Sequence, residues 1–179
     1  KEYTKLRLVI LQSYNYYINS EYKKSEMLLK NIEKKYMSVT NNIISTAKLY
    51  FKDYNKWLEW HDNLIEWSKN NKAYAILVDK MARICRLYKS GRVIAEYPAE
   101  LGQKWMGNKH YQGDNATPEG RYKIIKKLDR HQTKYYRAFL LNYPNEDDKK
   151  RFAEEKKLGN IPYNAKIGGL IEIHGEGGK

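Results

Sequence analysis

Not one glycine or proline occurs in residues 1–72, although the chain contains 11 glycines and 4 prolines. A stretch without either residue lacks the usual helix breakers and can run as long helices. Its apolar residues recur at helical spacing: Leu28, Ile32 and Tyr36 in one run, then Ile43, Ala47, Tyr50, Tyr54 and Trp57 in another. Ser20 with Lys23 behind it, and Thr40 with Asn41, are the expected breaks or caps between two or three helices. Trp57, Trp60 and Trp67 crowd this segment. They read either as a sugar- or partner-binding face or as core between antiparallel helices, and the packing role is the simpler expectation. No repeat marks a solenoid.

From Ala73 onward glycine and proline appear and the apolar runs shorten. Tyr74 to Val78, Ile84 to Tyr88 and Val93 to Tyr97 read as strands, the last two joined by a tight Ser90-Gly91 turn. Thr117-Pro118-Glu119-Gly120 suits a type I turn leading into a strand from Tyr122 to Ile125. Tyr135 to Asn142 reads as a further strand. Asn145 to Lys157 reads as an exposed helix ended by Leu158-Gly159, and Gly169 to His174 as a last strand. The expected fold is α+β: a helical module over 1–72 and a mostly β domain over 73–179, with a boundary near residue 72.

Composition narrows the functional classes. The formal net charge is +13. A basic surface suits nucleic acid, anionic lipid or an acidic cell-wall polymer. An A/T-rich genome, enriching Lys, Asn, Ile and Tyr, explains much of the same charge. The lysines are dispersed, which weakens the nucleic-acid reading. The longest early apolar run, Leu8 to Leu11, falls far short of a signal-peptide core, and no stretch approaches the roughly 20 apolar residues of a membrane span. Any export signal or membrane anchor is expected upstream of Lys1. The single cysteine, Cys85, has no partner for a disulfide or a CxxC site and reads as a small buried filler on a hairpin strand. The histidines at 61, 110, 131 and 174 show no metal-ligand spacing.

His174 is the most informative residue. It ends a β-branched strand and is followed by Gly175, so its imidazole can be held at a cleft edge where backbone approaches closely. Alone, such a histidine is more often structural. Its context is richer. Ile76-Leu77-Val78-Asp79-Lys80 followed by Leu87-Tyr88-Lys89-Ser90-Gly91 resembles the opening hairpin of YkuD-type L,D-transpeptidase domains. Gly113-Asp114-Asn115-Ala116-Thr117-Pro118-Glu119-Gly120-Arg121-Tyr122 is similar to that family's G-D-x-x-T-P-E-G-x-Y segment, and Asn142-Tyr143-Pro144-Asn145 with Asp148 to its Y-P-N-x-x-D segment. Ile171-Glu172-Ile173-His174-Gly175 resembles the I-x-I-H-G segment that carries the family's catalytic histidine. The four motifs fall in family order over residues 73–179; residues 1–72 take no part.

The resemblance implies peptidoglycan chemistry in the cell envelope. A cysteine thiolate attacks a peptide carbonyl of the stem tetrapeptide, D-alanine leaves, and a neighbouring amine takes the acyl group. His174 would be the general base, with Gly175 beside it, and no metal or organic cofactor is needed. Thr117, Gly120, Arg121 and Tyr111 are candidates for contacting substrate; Arg121 would suit a carboxylate. Trp105 is a weaker candidate, and Asp79-Lys80 is expected simply to end a strand. The family's nucleophile lies downstream of its histidine in a Gly-Cys segment, and is therefore expected beyond Lys179. Three rivals stand beside this reading: an L,D-carboxypeptidase of the same fold, a non-catalytic peptidoglycan-binding or scaffold protein, and, on charge alone, a nucleic-acid-binding module, which ranks last.

Overall fold

A computed structural model describes residues 2–175. The chain divides into two compact units, Lys1–Tyr54 and Asn55–Lys179.

The first unit is a helical hairpin of α1 (Glu2–Ile18) and α2 (Tyr22–Tyr50), closed by a 3-10 turn at Phe51–Asp53. The inward stripe runs through Leu6, Val9, Ser13 and Tyr16 on α1, and through Ser25, Leu28, Ile32 and Val39 on α2. At the crossing, the two small serines let the helices approach. Ser25 Oγ donates to the Ser13 carbonyl at 2.9 Å, and the two hydroxyls lie 3.0 Å apart. The expected break at Ser20 is present, with Ser20 at φ 62°. The expected break at Thr40-Asn41 is not: α2 runs straight through it. Neither residue costs more than a few tenths of a kcal/mol in a helix interior, and the apolar stripe continues on both sides. The α-helix gives way instead to the 3-10 turn at Phe51–Asp53.

The second unit opens with α3 (Tyr54–Asn70), whose first residue closes the other unit. Its less exposed face is a single stripe of Trp57, Trp60, His61, Leu64, Ile65 and Ser68. Tryptophans packed between antiparallel helices were the expectation; α3 instead meets the chain at Gly91, beside Ile65 and Lys69, and at Arg121, which lies over Trp60. Fully buried Ser68 donates to the Ala73 carbonyl at 2.7 Å and accepts from the Gly91 N–H at 3.1 Å. Trp67 lies on the other side of the helix and is exposed.

Two antiparallel three-stranded sheets follow. The first has the order β1 (Tyr74–Asp79), β2 (Ile84–Lys89), β3 (Arg92–Pro98). Ser90 and Gly91 both have positive φ, 51° and 76°, which makes the β2–β3 connection a type I′ turn matched to the strands' twist. The second has the order β4 (Ile124–Asp129), β5 (Arg137–Leu141), β6 (Glu172–His174). Each of its strands is shifted or shorter than the sequence suggests. Tyr122 is drawn out of β4 because its hydroxyl anchors to Asp148 at 3.0 Å. Tyr135 and Tyr136 belong to the β4–β5 loop. Gly168 and Leu170, at φ 81° and 55°, keep the residues before Glu172 off the strand.

Helix α4 (Glu146–Lys157) has a full capping box: the Asn145 side chain accepts from the Asp148 N–H, and the Asp148 side chain accepts from the Asn145 N–H. It ends as expected at Leu158-Gly159, where Gly159 (φ 71°) and Asn160 donate back to the Lys156 and Glu155 carbonyls. The whole is α+β, a helical module followed by two small sheets. No described helix is long and apolar enough to cross a membrane.

Candidate active site

β6 is a short strand laid against β5, with Ala138 opposite His174, Phe139 opposite Ile173 and Leu140 opposite Glu172. Three features fix its end. The His174 Nδ1 lies 2.9 Å from the Gly175 carbonyl. A carbonyl only accepts, so Nδ1 carries the proton in that bond, and in the neutral imidazole Nε2 holds the lone pair. The imidazole, itself exposed, stacks on the Tyr135 ring with centroids 3.3 Å apart and planes inclined by 8°. One residue pair back, the Thr133 hydroxyl donates to the Glu172 carboxylate at 2.8 Å. The β4–β5 loop is thereby pinned to the strand that carries the histidine.

The long segment between β3 and β4 has almost no regular structure, so buried ionic groups organise it. Lys80, just past the end of β1, reaches into it and donates to the Gly107 carbonyl at 2.8 Å, the Thr117 carbonyl at 2.9 Å and the Glu119 carboxylate at 2.7 Å. Three donors meet three acceptors, which is what a buried ammonium requires. Asp114 is a second node. It accepts from Lys109 Nζ at 2.7 Å and from the N–H groups of His110, Tyr111 and Ala116. Burial by itself would raise its pKa; the Lys109 ammonium and the three N–H donors outweigh that and hold it down at about 2. Asn108 clasps Glu119 at both backbone groups.

A third cluster joins the residues just before β4, α4 and the segment before β6. Tyr122 and Arg151 both donate to buried Asp148. Burial first, then the neighbouring Asp148 charge, push both the Tyr122 and Tyr143 hydroxyls up, Tyr143 to about 12. Tyr143 donates to the Ile167 carbonyl at 3.3 Å.

The residues singled out from sequence fall into different surroundings. Thr117 Oγ1 accepts from the Gly102 N–H at 2.9 Å. Gly120 leaves room for the Tyr122 ring, whose hydroxyl would stand 2.9 Å from a Cβ there. Arg121 is exposed, with its guanidinium 5.8 Å from the Trp60 ring centroid. Tyr111 lies in the loop folded around Asp114, and the next residue, Gln112, donates to the Lys166 carbonyl at 2.7 Å, on the approach to β6. Trp105 is half-buried, and the space over Gly175 is open among the described residues. No hydrogen bond among the described residues joins Thr117, Gly120, Arg121 or Tyr111 to His174. Thr117-Pro118-Glu119-Gly120 is not the hydrogen-bonded turn expected, because its backbone is held from outside by Lys80 and Asn108. Cys85 is half-buried in β2 opposite Val78 and Tyr97, and burial pushes its thiol up, away from the reactive thiolate. Lys80, Lys109, Thr133 and Tyr135 were missed by sequence reasoning as parts of this scaffold. Among the described residues, no group of three or more His, Cys, Asp or Glu is placed to hold a metal ion.

Residues 73–179 match the YkuD family, the L,D-transpeptidase catalytic domain. The chain belongs to that family. The match takes in both sheets, the Lys80 and Asp114 nodes and β6 with His174. Among solved structures, that of Bdellovibrio bacteriovorus Bd1075 is 32% identical to this chain, with a TM-score of 0.38; the match covers 56% of this chain and 33% of that one. This chain thus spans a third of the length of Bd1075. No curated protein matches the chain.

Proposed function

We infer that the protein is a cysteine-dependent L,D-transpeptidase that acts on peptidoglycan stem tetrapeptides in the cell envelope, with His174 as its general base. The observation that carries this reading is the state of His174: Nδ1 is committed to the Gly175 carbonyl, so Nε2 is the nitrogen able to take a proton. The nucleophile is a cysteine outside residues 1–179, since the half-buried, base-free setting of Cys85 does not suit the role.

In the first half-reaction the thiol proton passes to His174 Nε2 and the sulfur bonds to the stem-peptide carbonyl carbon. The tetrahedral oxyanion collapses, the C–N bond breaks, and D-alanine leaves as the amine after taking the proton back from the imidazolium. In the second, a neighbouring stem's amine attacks the thioester, His174 accepts its proton and returns it to the departing sulfur. Water in place of that amine would make the same site an L,D-carboxypeptidase. Thr117, Gly120, Arg121 and Tyr111 belong to the β3–β4 segment that Lys80 and Asp114 brace, and we assign that segment to substrate.

Intact mass of the complete protein before and after a carbapenem tests the reading. One covalent adduct is expected, lost when the downstream cysteine is replaced and slowed about 100-fold or more by His174→Ala. An adduct that forms equally fast in His174→Ala would remove His174 from the mechanism. Incubating tetrapeptide stems with and without an acceptor amine then separates cross-linking from hydrolysis.

A further inference from the structure

The stacking of Tyr135 on His174 is a contact that proton transfer by itself does not require. Tyr135 lies outside the four motifs and is not in a strand; it sits in the loop between β4 and β5, where only specific contacts fix the backbone. Two such contacts are present. The Thr133 hydroxyl donates to Glu172 at 2.8 Å, which ties the loop to β6 two residues before the histidine. The Tyr135 N–H in turn approaches the Thr133 hydroxyl at 3.4 Å, carrying that restraint to the tyrosine backbone. The Tyr135 ring then lies flat on the imidazole, 3.3 Å between centroids and 8° between planes.

This arrangement answers a mechanical problem. His174 is exposed and stands at the end of a strand of only three residues. Its bond to the Gly175 carbonyl fixes one ring atom but leaves the imidazole able to swing about that anchor. A flat aromatic partner removes the swing, because tilting the ring breaks the stack. A base that must meet a thiol within hydrogen-bond reach gains from losing that freedom in advance.

The geometry points to Tyr135 as a positioning residue that holds the His174 imidazole in its working plane, with the Thr133–Glu172 bond as the latch that holds Tyr135. The role rests on His174 being the general base. It needs the aromatic ring and not the hydroxyl, since the contact is through the ring face.

The test combines a spectroscopic reading with a kinetic one on the complete protein. In NMR spectra the His174 Cε1 and Cδ2 protons should be shifted upfield by the tyrosine ring current. They should move downfield in Tyr135→Leu and stay upfield in Tyr135→Phe. The His110 ring protons, held in another part of the same unit, serve as the control for folding. In carbapenem acylation, Tyr135→Leu should be slowed about 10- to 100-fold, the range expected when a reacting group loses its alignment, and Tyr135→Phe should keep the wild-type rate. Thr133→Val should fall between them. Unmoved His174 protons in Tyr135→Leu would overturn the proposal, as would Phe and Leu variants slowed alike. A wild-type protein that never acylates would instead sink the transpeptidase reading, while the ring protons would still report whether the stack exists.

Discussion

Lys80 Nζ and the Glu119 carboxylate lie 2.7 Å apart with side chains only 8% and 15% exposed, and they join the end of the first strand to a segment nearly forty residues downstream. A charge buried this deeply is tolerable only with its partners in place. Replacing Lys80 with Met, or Glu119 with Gln, should each destabilise the protein by about 3–5 kcal/mol, because one buried group is left uncompensated. The double variant should cost less than the sum of the singles. Urea denaturation of all four proteins measures the coupling; strictly additive losses would mean the pair is not coupled.

Acid should loosen the β3–β4 segment in a defined window. The Asp114 carboxyl titrates at about 2 when folded, below its ordinary 3.8. A depressed folded pKa means that its contribution is complete above the ordinary value and is lost as pH falls from there toward the folded one. The shift corresponds to about 2 kcal/mol. Wild type should lose that increment between these two pH values, and Asp114→Asn, which cannot titrate, should lack it. The comparison is a series of urea midpoints against pH.

Gly102 has no room for a side chain. A Cβ there would run into the backbone carbonyl of Asn115, beside the bridge between Lys104 and Ala116. Gly102→Ala should cost about 1–3 kcal/mol, the usual range for overpacking against atoms that cannot move aside. Gly107 and Gly113, which face open space but sit at positive φ, provide a contrast: alanine there is strained by the backbone and not by contact. Thermal midpoints of the three variants are the measurement.

Asn145 serves two elements. Its carbonyl oxygen caps α4, and its amide nitrogen donates to the Arg121 carbonyl at 3.1 Å. Asn145→Ala should cost about 1–2 kcal/mol. Asn145→Asp should restore the cap but lose the bond to Arg121, so it should recover part of that loss. Full recovery in the aspartate would show that the Arg121 contact contributes nothing.

What sequence discloses here follows the range of the forces involved. The helical hairpin, the Ser90-Gly91 turn and the end of α4 were legible because each is decided by residues within a few positions of one another. The 3-10 turn at Phe51–Asp53 and the unbroken passage of α2 through Thr40-Asn41 were not, since weak propensities there yield to the stripe that α2 presents to α1. The β3–β4 segment was legible as a motif but not as a structure. Thr117-Pro118-Glu119-Gly120 has turn chemistry, yet Lys80 and Asn108 hold it from outside. His174 could be found from its own strand. Tyr135 could not, because nothing local announces that a loop tyrosine will meet a histidine thirty-nine positions later.

The Ser68 hydroxyl has a consequence for anyone who trims this chain. It links three places at once: the last turns of α3, the Ala73 carbonyl that opens the first sheet and the Gly91 N–H at its tight turn. The family match begins at residue 73, so an excised domain cut there would discard the helix whose serine ties off that sheet. The smallest piece expected to survive isolation starts near Asn55. The border visible to homology and the border of the compact unit are then about one helix apart, and α3 is the inheritance the catalytic fold is expected to keep.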